Sequence, residues 1–170
     1  MTPKSLLRNK RAVSNLSDLA EGTSFHRVMI DGAEAGADVG GVKLQGDDKI
    51  SRVIICSGKV YFDLIEQRAK TGRDDVYILR LEQFYPWPLK SISNVLKRFK
   101  NADLVWCQEE PKNMGGWTFV DPWLELTLGR MKVSAKRARY VGRPASASTA
   151  AGLMSRHMKE LETFLTEAFA

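Results

Sequence analysis

The chain has 170 residues, of which 44% are hydrophobic and 27% charged, and its net charge is +6. This length suits one well-packed domain, and the composition is that of a globular protein rather than a disordered one. No apolar run approaches the roughly 18–20 residues that a membrane-spanning helix needs. The basic amino terminus is not followed by the apolar stretch of a secretory signal.

The two cysteines, Cys56 and Cys107, each lie within an apolar run. Buried strand thiols in a reducing compartment are the favoured interpretation over a disulfide. We therefore expect a protein of the cell interior, with no membrane partner.

The basic residues are dispersed along the chain. Their densest group, residues 132–140, contains one aromatic residue, at its end. A nucleic-acid surface usually combines a basic stripe with stacking aromatics or belongs to a known module. We therefore expect a solvated face or a subunit contact, and no nucleic-acid binding.

The chain begins with a predicted helical segment, residues 1–24, ahead of an α/β domain over residues 25–170. Thr2 is expected to be the helix N-cap, with Pro3 at the first helical position. An apolar stripe is expected at Leu6, Leu7, Val13, Leu16 and Leu19. Residues 25–30 are then predicted to be a short strand. Residues 31–48, rich in Gly and Asp, are predicted to be a flexible loop.

From residue 52 onward, predicted strands and helices alternate. The predicted strands are RVIICS, VYILRLE, ADLVWCQEE and ARYVGR, and the helices lie in KVYFDLIEQRAKTG, LKSISNVLKRFKN, FVDPWLELTLGR and residues 153–169. Gly72 is expected to end the first of these helices. Apolar strands separated by helices indicate a three-layer α/β/α fold, with a mostly parallel sheet covered on both faces.

One candidate anion site is formed by Ser57, Gly58 and Lys59, where a strand passes into a helix. Backbone N–H groups bind anions at such positions. The glycine patterns of a P-loop and of a dinucleotide site are both missing. The favoured interpretation is that Ser57 caps the helix and Lys59 is a surface charge, and a phosphate contact is the alternative.

A candidate interface lies at the carboxyl end of the third long strand, at Gln108, Glu109 and Glu110, with Trp117 nearby. In an open α/β sheet, this edge is where ligands and partners dock. Two adjacent carboxylates could act as acid and base. However, neighbouring residues that leave a strand point in different directions, so a hydrogen-bonded interface loop is an equal alternative.

No catalytic set is predicted. His26 and His157 are far apart in the sequence and lack ligands at metal spacing. No serine lies in a G-x-S-x-G motif, and neither cysteine has the setting of a nucleophile. We expect no catalytic residue, no cofactor-binding residue and no metal site in this chain.

Several long motifs, taken together, resemble a known family. In chain order they are TPKSLLRNKRAVS, CSGKVYFDL, ILRLEQFYPWP, VWCQEEPKNMGGW and RYVGRPASAS. They are similar to the carboxyl-terminal region of 2-oxoglutarate dehydrogenase, the decarboxylating component of its complex, over nearly the whole chain. The resemblance implies a domain of the transketolase carboxyl-terminal type that continues from an upstream domain and is a fragment of the enzyme.

The resemblance also implies what the whole enzyme does. It decarboxylates 2-oxoglutarate and passes the succinyl group to a lipoyl group of the dihydrolipoyl succinyltransferase component, in the tricarboxylic acid cycle. It uses thiamine diphosphate and Mg²⁺, held by upstream domains, and works as a homodimer. The expected location is the bacterial cytoplasm or, in a eukaryote, the mitochondrial matrix. The chain alone is expected to be inactive.

Some family members use this region as an acetyl-CoA regulatory pocket. By the resemblance, the positions facing acetyl-CoA would be Ser24, Arg27, Gln83, Lys90 and Ser91. Members that bind acetyl-CoA carry a basic residue where this chain has Ser91. The alternative is that Gln83 and Lys90 only cap and solubilise a helix.

Two other functions remain open. One is a free-standing module that binds CoA or a nucleotide through the helix start at residues 57–59. The other is a self-sufficient enzyme that uses Glu109 or Glu110.

Overall fold

A computed structural model describes residues 3–170, which contain five strands and four α-helices. The strands are β1 (Val28–Met29), β2 (Arg52–Cys56), β3 (Val76–Leu81), β4 (Asp103–Pro111) and β5 (Arg139–Arg143). The helices are α1 (Val60–Thr71), α2 (Leu89–Leu96), α3 (Trp117–Gly129) and α4 (Met154–Phe169). No helix in this part of the chain is both long and apolar enough to cross a membrane.

The strands form one sheet in the order β1-β3-β2-β4-β5. Strands β2 to β5 pair in parallel, and only β1 is antiparallel to its neighbour. In the centre, Ile54 lies opposite Ile78 on one side and Val105 on the other. The predicted mostly parallel α/β fold is confirmed.

Alternate residues of the central strand point into two separate cores. Val53 and Ile55 join the core that α2 and α3 cover, and Ile54 and Cys56 join the core beneath α1 and α4. Both faces of the sheet are therefore buried, which explains why its strands are almost continuously apolar.

Cys56 and Cys107 lie opposite each other on β2 and β4, and both are buried and free. Burial raises the pKa of both thiols well above the usual range, because the thiolate would be desolvated. The predicted buried strand thiols are confirmed.

The first helix ends as predicted. Gly72 lies in the left-handed region with a φ of 64°, and its N–H donates to the carbonyl of Arg68. A glycine adopts this conformation without the steric cost that a Cβ would add.

The predicted apolar helix in the first 24 residues is wrong for the part that the structure describes. Residues 3–24 contain two short 3₁₀-helices, Lys4–Leu6 and Leu16–Leu19, and no α-helix. Thr2, the predicted N-cap, lies outside the described residues. Leu7, Val13, Leu16 and Leu19 are 71–87% exposed, so the stripe has no surface of this domain to pack against. A short helix without such packing is only marginally stable.

The predicted strand over residues 25–30 is shorter than expected. Only Val28 and Met29 pair with β3, opposite Leu81 and Arg80. The chain then turns away at Asp31, whose side chain is fully buried.

A buried ion pair fixes this turn. The guanidinium of Arg68, in α1, donates to both carboxylate oxygens of Asp31 at 2.5 and 3.0 Å. Asp31 also accepts the N–H of Ile78 at 2.6 Å, and Arg68 donates to the carbonyl of Val76 at 3.0 Å. Both side chains are completely shielded from solvent. The pair therefore joins α1, β3 and the segment after β1.

The loop over residues 31–48, predicted to be flexible, is held at both ends. Arg98 donates to the carboxylates of Glu34 and Asp47 at 2.8–3.0 Å. The guanidinium lowers the pKa of Asp47, because it bonds to the ionised form. The hydroxyl of Tyr77 also donates to Glu34 at 2.7 Å. These side-chain contacts anchor the loop, although it contains no strand or α-helix.

Breaking the buried pair should destabilise the whole domain. Replacing Arg68 with Met leaves the Asp31 carboxylate buried without its counter-charge, which costs about 3–5 kcal/mol. We expect a loss of this size in the free energy of unfolding, measured by urea denaturation. Lys70→Met, in the same helix, removes an exposed ion pair with Glu66 and should change stability by less than about 0.5 kcal/mol. Equal losses of stability for the two substitutions would show that the buried pair between Arg68 and Asp31 is not specially important for the fold.

Candidate functional site

The carboxyl ends of β2 and β4 meet at the centre of the sheet, where the chain reverses its direction of winding. Helix α1 leads from β2 towards β3, whereas the next connection crosses back over β2 to β4. A crevice for ligands commonly opens at such a reversal. The structure brings the two predicted sites together here, because the Lys59 ammonium lies 3.8 Å from the Glu109 carboxylate.

The predicted cap at Ser57 is wrong. Gly58 has a φ of 74°, which moves the helix start forward so that Lys59 occupies the N-cap position without a side-chain cap bond. The Lys59 ammonium instead donates to Asp63, one turn into the helix, at 2.7 Å. Asp63 places a negative charge where the helix dipole favours one. Anion binding at Ser57, Gly58 and Lys59 stays a prediction.

Gln108 organises the end of β4 from the inside, and it is only 2% exposed. Its amide oxygen accepts from the indole of Trp106 at 2.9 Å and from the backbone N–H of Trp117 at 3.0 Å. Its amide nitrogen donates to the carbonyls of Pro111 and Met114 at 3.1 and 2.7 Å. The amide therefore ties β4 to the start of α3.

The other predicted interface residues lie further out. The Glu109 side chain is one third exposed, and Glu110 is exposed. Trp117 is half-buried and packs against Tyr140, with ring centroids 5.4 Å apart. An interface at Gln108, Glu109, Glu110 and Trp117 stays a prediction, with the Gln108 side chain turned inward.

An open pocket of about 370 Å³ lies beside Glu109 and Glu110, beneath the start of α4. Arg143 and His157 also line it. The Arg143 guanidinium already bonds to Glu160 at 2.6 Å and to the carbonyl of Thr149 at 3.1 Å. The Arg143 guanidinium is therefore already paired, and this pair holds α4 against the end of β5.

A second open cleft, of about 450 Å³, lies between β1 and α2. Four of the five positions predicted to face acetyl-CoA line it, namely Ser24, Arg27, Gln83 and Ser91. The N–H groups of Glu82 and Gln83 both donate to the carbonyl of Arg27, at 3.0 and 3.1 Å. Two segments that are far apart in sequence are thus held together at one cleft.

Three residues of this cleft were not predicted to belong to it. Phe25, His26 and Val28 line it because they lie between or beside Ser24 and Arg27. His26 precedes the strand instead of lying within it, and it is exposed. Lys90, exposed in the first turn of α2, is next to Ser91 but does not line the cleft.

A metal site has no basis in the described part of the chain. Among residues 3–170, no three His, Cys, Asp or Glu side chains are grouped so that they could hold a metal ion.

Comparison with known proteins gives consistent matches. The model of a family described as 2-oxoglutarate dehydrogenase C-terminal matches residues 13–169. A 2-oxoglutarate dehydrogenase E1 component of Brucella anthropi is 58% identical over 168 residues. Those of Brucella ovis and Brucella canis are 57% identical over the same length. Each match covers 99% of this chain but only 17% of the relative, so the chain spans about a sixth of the length of these relatives.

Removing the amide of Gln108 should destabilise the end of β4. Gln108→Leu leaves the indole N–H of Trp106 and the backbone N–H of Trp117 without an acceptor in a buried site. We expect the free energy of unfolding to fall by about 2–4 kcal/mol. Gln45→Leu, which removes an exposed bond to Asp74, is the matched control and should change it by less than about 0.5 kcal/mol. Thermal or urea denaturation followed by tryptophan fluorescence gives both values.

Proposed function

Because the chain belongs to the 2-oxoglutarate dehydrogenase C-terminal family, we propose that it is the carboxyl-terminal domain of an enzyme that oxidatively decarboxylates 2-oxoglutarate. In this proposal, the enzyme transfers the succinyl group to a lipoyl group as part of the tricarboxylic acid cycle. The observation that carries the proposal is the 57–58% identity to E1 components along 99% of the chain.

We propose that this domain serves assembly rather than chemistry. Three polar side chains at the carboxyl edge already bond within the domain. Gln108 bonds inside the domain, Lys59 pairs with Asp63, and Arg143 pairs with Glu160. A catalytic acid or base must instead be free to reach a proton of the substrate. This internal bonding supports a structural role for the edge.

The proposed cofactors are thiamine diphosphate and Mg²⁺. Mg²⁺ is usually held by one or two carboxylates together with phosphate oxygens. Among residues 3–170, no three His, Cys, Asp or Glu side chains are grouped so that they could hold a metal ion without such phosphate oxygens. We therefore propose that other parts of a longer polypeptide bind both groups, and that this domain contributes no ligand to them.

The proposed partners follow from the same assignment. They are the upstream domains of the same polypeptide, a second copy in a homodimer, and the dihydrolipoyl succinyltransferase component of the complex.

The two free, buried thiols support a reducing, intracellular location. Because the matched relatives are bacterial, we propose the bacterial cytoplasm.

The activity is tested with a longer protein that also contains the residues that the relatives have outside the matched region. With thiamine diphosphate and Mg²⁺, we expect it to reduce an artificial electron acceptor with 2-oxoglutarate. The 170-residue chain should show no turnover under the same conditions. Turnover of pyruvate but not of 2-oxoglutarate would contradict the proposed family activity, and turnover by the short chain would contradict the assembly role.

A second proposed function is the binding of acetyl-CoA as a regulator in the cleft between β1 and α2. The observation that favours it is that Ser24, Arg27, Gln83 and Ser91 line one cleft. Arg27, which lines the cleft, and Lys90, next to Ser91 in the sequence, are exposed cations that suit the phosphates of CoA.

Binding of acetyl-CoA should raise the melting temperature of the protein in a saturable way, because a ligand that binds only the folded state stabilises it. Arg27→Gln should weaken the affinity, measured by calorimetry, by about 5- to 150-fold, since one charge-assisted bond is worth about 1–3 kcal/mol. Lys159→Gln, on α4, is the control and should leave the affinity unchanged. A melting temperature unaffected by millimolar acetyl-CoA would contradict both this regulation and a free-standing CoA-binding module.

A further inference from the structure

Helix α3 has an apolar side that faces away from the core. Its buried residues include Val120, Leu124 and Leu128. On the outer side, apolar residues recur at intervals of three and four, at Phe119, Pro122, Trp123 and Leu126. Phe119 is 37% exposed and Leu126 is 43% exposed. A helix that is apolar nearly all round is normally covered on all sides.

The connection between β3 and α2 extends this apolar side. Phe84 stacks on Phe119 at a centroid distance of 6.3 Å, and Phe119 is followed by Trp123 at 6.4 Å. Tyr85, in the same connection, is 77% exposed. We call the surface formed by Phe84, Phe119, Pro122, Trp123 and Leu126 the aromatic face, and Tyr85 follows it directly in the sequence.

The aromatic face is held rigidly from beneath. The indole of Trp87 stacks on Trp123 at 6.2 Å and donates to the hydroxyl of Thr127 at 3.0 Å. The Phe84 ring lies so close to Gly116 that a Cβ there would be 2.8 Å from it. Rigid aromatic side chains lose little conformational entropy when a partner covers them.

Charge on α3 is confined to the margin of the aromatic face. The Asp121 carboxylate is bonded to Arg137 at 2.6 Å, and its side chain is only 16% exposed. Glu125 and Arg137 are more than half exposed. An apolar centre with a charged rim is the usual composition of a protein interface.

The length of the relatives points to what covers this face. More than four fifths of each matched E1 component lies outside the region that this chain matches. A second exposed apolar set, at Leu7, Val13, Leu16, Leu19 and Phe25, lies on the segment before β1. A symmetric contact with a second copy would bury one patch on each subunit. The large remaining part of one polypeptide can cover both the outer side of α3 and the exposed apolar residues before β1.

We propose that the aromatic face packs against protein of the same polypeptide outside the matched region. This inference depends on the proposed function in one respect, namely that the domain belongs to a longer chain. The occupant presents an apolar surface to the exposed parts of Phe119 and Leu126.

Site-specific cross-linking in the longer enzyme tests the proposal. The photoreactive residue p-benzoylphenylalanine replaces Leu126 in one variant and Glu162, which is exposed on α4, in the control. Isotopically light and heavy chains are co-expressed, so that mass spectrometry separates links within a chain from links between chains. We expect Leu126 to give links within one chain to peptides outside the matched region, and Glu162 to give none to the same peptides.

Other outcomes overturn the proposal. Links between light and heavy chains would assign the face to a second copy. Links to the succinyltransferase component would assign it to another protein of the complex, and the absence of links would leave the face uncovered. An active enzyme without the expected link contradicts this inference alone, whereas an inactive enzyme with the link contradicts the proposed function alone.

A charge introduced into the face gives a second measurement. Leu126→Glu in the longer enzyme should lower its melting temperature by several degrees, because the carboxylate would be buried at the contact. Thr163→Glu, at an exposed position of α4, is the matched control and should leave the melting temperature nearly unchanged. Equal small shifts for the two variants would count against a covered face.

Discussion

The buried pair between Arg68 and Asp31 is the contact on which the arrangement of this domain depends. It fastens helix α1 to β3 and, through Asp31, to the segment that follows β1. That segment determines where β1 leaves the sheet, and β1 in turn carries the Arg27 carbonyl to Gln83. The cleft between β1 and α2 is therefore positioned by an ion pair that lies in the opposite layer of the domain.

The parallel sheet and its helices could be predicted because their signals are local. Apolar runs mark β2 to β5, and the helix that begins after Gly58 shows helical spacing and ends at Gly72 as expected. The burial of Asp31 could not be predicted in this way. Its partner lies 37 residues away, and an aspartate among glycines has the local pattern of a loop. The N-terminal segment was predicted wrongly for a related reason, since helical spacing does not reveal whether a packing surface exists.

The candidate sites also differ in whether their residues are close together or far apart in the sequence. Residues close together in the sequence, such as Ser57 and Lys59, could be grouped from the sequence, but the predicted side-chain cap is wrong because the left-handed Gly58 shifts the helix start. The grouping of Ser24 with Ser91 came only from the family resemblance, since nothing in local periodicity brings positions so distant together. The aromatic face combines a loop with a helix, and the stacking of Phe84 on Phe119 becomes visible only after the chain has folded.

The brevity of β1 has a consequence for solubility. A strand of two residues covers only the end of β3 near Leu81 and leaves the rest of that strand at the margin of the sheet. There, the N–H of Ile78 and the carbonyl of Val76 are already taken by the side chains of Asp31 and Arg68. Unsatisfied groups at a sheet margin act as templates for strands of other molecules and promote aggregation. At these two positions, side chains close the margin in place of a backbone strand, so another molecule would have to displace a buried ion pair in order to add to the sheet.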